Sequence, residues 1–148
     1  MHIHREVFMK ELSAGLKELC ETSELMRLAY SDERGYPRVV PVWYVLIDGA
    51  YYFGTYPTSV KYKAIKREPR VGWVIDGGDK PKYKGVSFYG QAADVTDAQE
   101  REAVYRALGD KYFGTTDDTT FLEIYGKVDD EQTAYLRLTP EDGSSWEY

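Results

Sequence analysis

The sequence predicts a mainly β, α+β protein: an antiparallel sheet or barrel of about six strands with helices at its flanks. Three observations predict it. Runs rich in Val, Ile, Tyr, Phe and Trp recur between turn-forming clusters. Asp48-Gly49 lies between two of those runs and is a strong hairpin signal, since both central positions of such a turn need positive φ. The 14 tyrosines suit extended sheet with a large, half-polar interface.

The elements follow in order. Val7, Phe8, Leu12, Leu16, Leu19 and Cys20 recur at helical steps and predict an amphipathic helix over 6–20. Glu24 to Ser31 reads as the first strand, and the turn chemistry of Asp32 to Pro37 ends it. Arg38 to Ile47 is an unbroken β-type run and predicts one long strand, hairpinned through Asp48-Gly49 to Ala50–Thr55. Ser59 is placed to cap a short helix over Lys61 to Lys66, which stops before Pro69. Strands are expected over Arg70–Asp76 and Gly85–Val95. A helix capped by Thr96 or Asp97 then runs through Leu108, with a shorter one over Thr119–Tyr125. Ala134 to Thr139 is the last strand, and Pro140 opens a loose tail.

At 148 residues, 43% of them hydrophobic, residues 1–148 are expected to form a single domain with its own core. The lone cysteine, Cys20, excludes an internal disulfide framework and a thiolate zinc site. No run approaches the ~20 apolar residues of a membrane span, and the N-terminus lacks a secretory pattern. A cytoplasmic, membrane-free protein is expected. The net charge of −6 argues against nucleic-acid binding by bulk attraction to phosphate. Yet Lys61, Lys63, Lys66, Arg67 and Arg70 crowd one ten-residue window.

That window adjoins the stretch that carries chemistry. A strand delivers Thr55 into a loop that opens on the helix capped by Ser59. Backbone N–H groups at such a start, the Ser59 hydroxyl and the Lys61 ammonium make an anion site. Arg38, expected across the hairpin, can add a planar guanidinium to the same anion. The plainer reading makes Ser59 a cap, Lys61 a solvated charge and Arg38 an edge residue.

The order of motifs bears on that choice. Gly35-Tyr36-Pro37, Pro41-Val42, Asp48-Gly49, Tyr52-Phe53-Gly54-Thr55, Ser59-Val60-Lys61 and Pro69-Arg70-Val71 follow one another. This set resembles the pyridoxamine-phosphate-oxidase-like FMN-binding split barrels, over roughly residues 24 to 148. The resemblance implies that Arg38 and Lys61 bind the flavin phosphate, with Ser59 and Val60 bonding it at the helix start. It implies that Val39, Val40 and Pro41 line the isoalloxazine edge, and that Phe53, Gly54 and Thr55 hold the ribityl chain or ring. Trp146 would approach the cofactor from the partner subunit of a homodimer. The family's glutamine near the start of the long strand falls near Gly85 here. Its substrate-gripping Arg-x-His segment has no counterpart, because the chain ends two residues after Trp146. Authentic pyridoxamine-phosphate oxidation is therefore not expected.

The implied function is an FMN-dependent oxidoreductase acting on a small molecule. The alternatives are an F420 (deazaflavin)-dependent reductase, with Lys63, Lys66 and Arg67 as a basic groove for the cofactor's anionic tail, or a non-catalytic flavin- or haem-binding protein. No catalytic residue is assigned; Tyr83, Tyr89 and Tyr112 read as interface phenols. No metal site is expected, since His2 and His4 are the chain's sole histidines and lie at its start.

Overall fold

The structure, a computed structural model, describes residues 11–148. The first third of the predicted N-terminal helix and the His2/His4 pair lie outside the described residues. Within them the helical run expected over 6–20 is interrupted at Leu12 and Ser13. Ser13 is an N-cap, with Oγ accepting from the Leu16 N–H, and α1 spans Ala14–Thr22.

Seven strands follow: β1 (Met26–Ser31), β2 (Pro37–Val42), β3 (Val45–Ile47), β4 (Ala50–Thr55), β5 (Arg70–Gly77), β6 (Lys84–Asp94) and β7 (Ala134–Glu147). They form one antiparallel sheet in the order β2-β1-β5-β6-β7-β4-β3, curled into the half-open form of a split barrel. Helix α2 (Val60–Arg67) enters between β4 and β5. Helices α3 (Ala98–Phe113) and α4 (Thr119–Tyr125) enter between β6 and β7.

Three expectations are corrected. The predicted ten-residue strand over 38–47 is two strands on opposite edges of the sheet: β2 pairs with β1, and β3 with β4. Trp43 and Tyr44 make the crossing. Their β-type composition reflects burial against helices rather than strand pairing, because α3 and α1 supply their partners. The Trp43 ring stacks on Tyr112, with centroids 4.6 Å apart. Tyr44, fully buried, donates its hydroxyl to the Cys20 carbonyl and its N–H to the Tyr112 hydroxyl. Second, helix α3 runs past Leu108 to Phe113 and stops at Gly114, whose φ of 76° suits glycine in a left-handed cap. Third, the residues after Pro140 are no loose tail. β7 continues to Glu147 alongside β6, interrupted by a bulge at Glu141, with Tyr89 opposite Asp142 and Gly90 opposite Pro140.

Two apolar clusters hold the fold. The inner one fills the curl with Leu28, Tyr51, Phe53, Trp73, Phe88 and Leu136 and is closed by α1. The outer one packs α3 and α4 on the far side of β3, β4 and β7 through Tyr52, Leu108, Phe121, Tyr125 and Tyr135. Strand alternation explains the division: Tyr51 and Phe53 point inward while Tyr52 points outward. Among the described residues no helix is long and apolar enough to cross a membrane.

Lys111 is drawn into the Trp43–Tyr44 crossing. Its ammonium donates to the Tyr44 carbonyl at 3.0 Å and sits 3.8 Å from the Tyr44 ring centroid. Burial lowers its pKa from 10.5 to about 8, with Glu24 pulling weakly the other way. The unfolded chain therefore holds the Lys111 proton across roughly pH 8 to 10.5 while the folded chain releases it. Lys111 thus makes stability rise with pH over that window. The stability difference between wild type and Lys111→Met, followed by denaturant unfolding, should move in favour of wild type as pH climbs from 8 toward 10. A difference independent of pH would refute this.

Candidate functional site

Connectivity, more than proximity in sequence, assembles the site. β2 ends at Val42 and β3 begins at Val45, so the two edges of the sheet meet at this corner. β4 returns along β3 as far as Tyr52, opposite Val45, and then passes the corner. Phe53, Gly54 and Thr55 have no β3 partner and run on beyond it, paired with β7 alone. Arg38–Pro41, on the β2 edge, and Phe53–Thr55, past the end of β3, are the two lips of the open sheet. Helix α2 starts from the second lip and packs against β1. Val40, Val42 and Tyr62 all pack on the inner cluster.

The helix start is tightly specified. Ser59 has the extended backbone of an N-cap, and its Oγ accepts from the Tyr62 N–H at 3.1 Å. The same oxygen lies 3.1 Å from the hydroxyl of the buried Thr55. Cap and strand end are thus fixed to one another. The first-turn N–H groups of Val60 and Lys61 have no acceptor within the helix. Lys61 is half-buried and, among the described residues, has no ion-pair partner; burial alone lowers its pKa. A desolvated cation beside two open N–H donors is an electrostatically incomplete site, and an anion would complete it.

Arg38 reaches the helix by a route other than the one expected. It is not across the hairpin from Thr55, because β2 and β4 lie on separate arms of the sheet. The curl brings its side chain into a cleft of about 400 Å³ with Asp32, Glu33, Arg34, Val60, Lys63, Ala64 and Arg67. Arg38 stands 3.8 Å from the Asp32 carboxylate, too far for a hydrogen bond. Asp32 spends its carboxylate on the turn, accepting from the N–H groups of Arg34 and Tyr36 at 2.9 Å each, and its pKa is lowered chiefly by the Tyr36 bond. Lys61 itself does not line this cleft; it stands one residue along the first turn from Val60.

The remaining expected residues divide. Val39 is 65% exposed on the β2 edge, Pro41 is exposed beside it, and Val40 turns inward. Phe53 is fully buried, so its ring belongs to the core and only its backbone faces the split. Gly54 has a packing reason: a Cβ there would meet Tyr125 at 2.9 Å and Thr133 and Tyr135 at 3.1 Å. Of the proposed groove cations, Lys63 and Arg67 line the cleft, whereas Lys66 faces away and pairs with Asp94. Tyr112 has its hydroxyl occupied by Tyr44 and Glu24.

Trp146 is not brought to helix α2 within one chain. It pairs with Gly85 near the start of β6, while the Asp94 end of that strand touches α2. The intervening residues span roughly 30 Å. Its indole lies over Gly85, where a Cβ would come within 2.3 Å of Cζ2. Gly85 therefore accommodates the indole. Gly85→Ala should displace the ring, shift its fluorescence to the red and cost about 1–3 kcal/mol of stability. An unchanged emission spectrum would show that the contact is unimportant.

Sequence reasoning missed Asp94. Its carboxylate accepts from the Tyr62 hydroxyl at 2.8 Å and pairs with the Lys66 ammonium. Burial first, then Asp94, raises the Tyr62 pKa, and the Asp94 bond raises that of Lys66. The i, i+4 spacing of Tyr62 and Lys66 was the available signal.

The pyridoxamine 5′-phosphate oxidase family profile matches residues 12–147. No curated protein matches the chain. Among solved structures, a conserved hypothetical protein from Mycobacterium tuberculosis is 26% identical, with 92% of this chain and 84% of that one covered at a TM-score of 0.78. A FAD-binding protein from Mesorhizobium loti is 23% identical (93% and 96% covered, TM-score 0.70). A protein described as an F420 reductase is also 23% identical (90% and 98% covered, TM-score 0.66).

Proposed function

Because the chain belongs to the pyridoxamine 5′-phosphate oxidase family, we propose that it is an oxidoreductase that holds FMN in the split of its barrel and acts on a small molecule. The observation that carries this reading is Lys61: a half-buried ammonium without a counter-ion among the described residues, on the first turn of a helix whose leading N–H groups have no acceptor within it. A phosphate monoester supplies the missing charge. Arg38, from the opposite lip, closes on it through the cleft it shares with α2. The bound flavin would supply hydride and electron transfer. The chain's part is to bind and orient it, with backbone of Val39–Pro41 and Phe53–Thr55 along the two lips and the Thr55–Ser59 hydroxyl pair between strand and phosphate.

A homodimer is part of the proposal. Val39, Ala29, Gly72 and Tyr89 form a row across four strands on the outer side of the sheet, and Val39 and Tyr89 are exposed. A trough of about 390 Å³ lies beside them. Trp146 is on the same side of the sheet as Tyr89, since Gly85 and Tyr89 share strand parity. A second copy on this face would cover the apolar row, and its Trp146 could then approach the split that the chain's own Trp146 cannot reach.

One observation favours a second reading, an F420-dependent reductase. Lys63 and Arg67 line the cleft without ion-pair partners among the described residues, which leaves cationic capacity beyond a single phosphate. Quenching of F420 fluorescence by the protein, with weaker binding in Lys63→Ala/Arg67→Ala, would select that cofactor over FMN.

Lys61→Ala with Arg38→Ala should weaken FMN binding by at least about a hundredfold while leaving thermal unfolding nearly unchanged. Unchanged affinity would remove the phosphate assignment. An anion that favours charged Lys61 raises its lowered pKa, so wild-type affinity should decline as pH rises into the alkaline range. That decline should be absent from Lys61→Met. Titration of FMN fluorescence at several pH values measures both.

A further inference from the structure

We propose that Asp94 is a positioning residue for the phosphate site: it anchors helix α2 from the side opposite the ligand and thereby sets where the first-turn donors and Lys61 stand. The inference rests on the phosphate reading above and extends it to a residue on a different element.

Helix α2 presents two faces. Val60, Lys63, Ala64 and Arg67 line the cleft, while Tyr62 and Lys66 point to the end of β6. At that end Asp94 uses both carboxylate oxygens, Oδ1 accepting from the Tyr62 hydroxyl at 2.8 Å and Oδ2 pairing with Lys66. Tyr62 is also the residue whose backbone N–H is held by Ser59 Oγ, and Ser59 Oγ is in turn within 3.1 Å of the Thr55 hydroxyl. One side chain thus links the far anchor to the helix cap and to the strand lip. The exit of the helix is fixed to the same strand, since the Ala92 N–H donates to the Pro69 carbonyl at 2.8 Å.

The helix is short, eight residues, so its own hydrogen bonds define its orientation poorly. Its apolar burial is confined to Ala64 and Ile65 with partial burial of Tyr62. Packing on so few side chains leaves rotation about the helix axis weakly specified. Two charge-assisted bonds from one carboxylate to positions i and i+4 remove that freedom. A rotation that moves the first-turn N–H groups by an ångström is enough to degrade an anion site.

The test compares FMN with riboflavin, which has the same ring and ribityl chain and no phosphate. In wild type FMN should bind far more tightly. Asp94→Ala should lower FMN affinity about tenfold or more while leaving riboflavin affinity unchanged, collapsing the FMN-to-riboflavin ratio. Asp94→Asn, whose amide oxygen can still accept from Tyr62, should recover part of the ratio. Tyr62→Phe reports on the same link without touching the carboxylate and serves if Asp94→Ala does not fold. In the Tyr62→Phe/Asp94→Ala cycle the two losses should be less than additive. A ratio unchanged from wild type in Asp94→Ala or Tyr62→Phe, or equal losses for both ligands, overturns the positioning role and leaves the phosphate site standing. A wild-type ratio near one overturns both.

Discussion

The fold depends on the two-residue crossing at Trp43–Tyr44. There the chain leaves one edge of the sheet and joins the other, which forces the sheet to curl until its edges meet. The crossing would expose its backbone groups if nothing received them. Instead the Tyr112 hydroxyl serves both the N–H and the carbonyl of Tyr44, Lys111 adds a second donor to that carbonyl, and the Tyr44 ring is buried with its hydroxyl on the Cys20 carbonyl. Helices α1 and α3, far apart in sequence, are therefore needed at the same corner. The split of the barrel, and with it the candidate site, is a by-product of this closure.

That dependence explains what could be read from the residues and what could not. Hairpin and cap signals are local, and Asp48-Gly49, Ser59, Asp97 and the short helix at 119–125 all appear where turn and capping chemistry put them. The crossing is not local. Val-Pro-Val-Trp-Tyr-Val has the composition of uninterrupted strand, and only the positions of Tyr112 and Cys20 in space show that its centre is an anchor. The same holds for Arg101, whose guanidinium gathers the carbonyls of Val128, Asp130 and Thr133 into one loop and which looks like an ordinary helix-surface charge in the sequence.

The candidate site was legible by residue type more than by geometry. Lys61 and Ser59 follow from the cap, and Arg38 from the motif order. The reason Arg38 comes near the helix is the curl rather than the hairpin, and Lys63 and Arg67 share its cleft while Lys66 does not. Helical phase decides that partition, since residues 60, 63, 64 and 67 fall on one face and 62 and 66 on another. Asp94 was invisible because its importance lies in the register of β6 against a helix that it does not adjoin in the chain.

The single extra residue at Glu141 has a consequence out of proportion to its size. Before it, Leu136 and Leu138 place the even-numbered positions of β7 in the inner cluster. After it, even-numbered Asp142 faces Tyr89 and even-numbered Trp146 covers Gly85, both on the outward side. The bulge reverses which residue numbers, even or odd, face inward along the last stretch of chain. Were Glu141 drawn into the ladder opposite Tyr89 rather than bulged out, every later residue would slip by one, and Trp146 would fall opposite Lys84 on the inward side, where Val86 and Phe88 already stand. The outward presentation of that ring is thus set by the bulge, independently of the tryptophan itself.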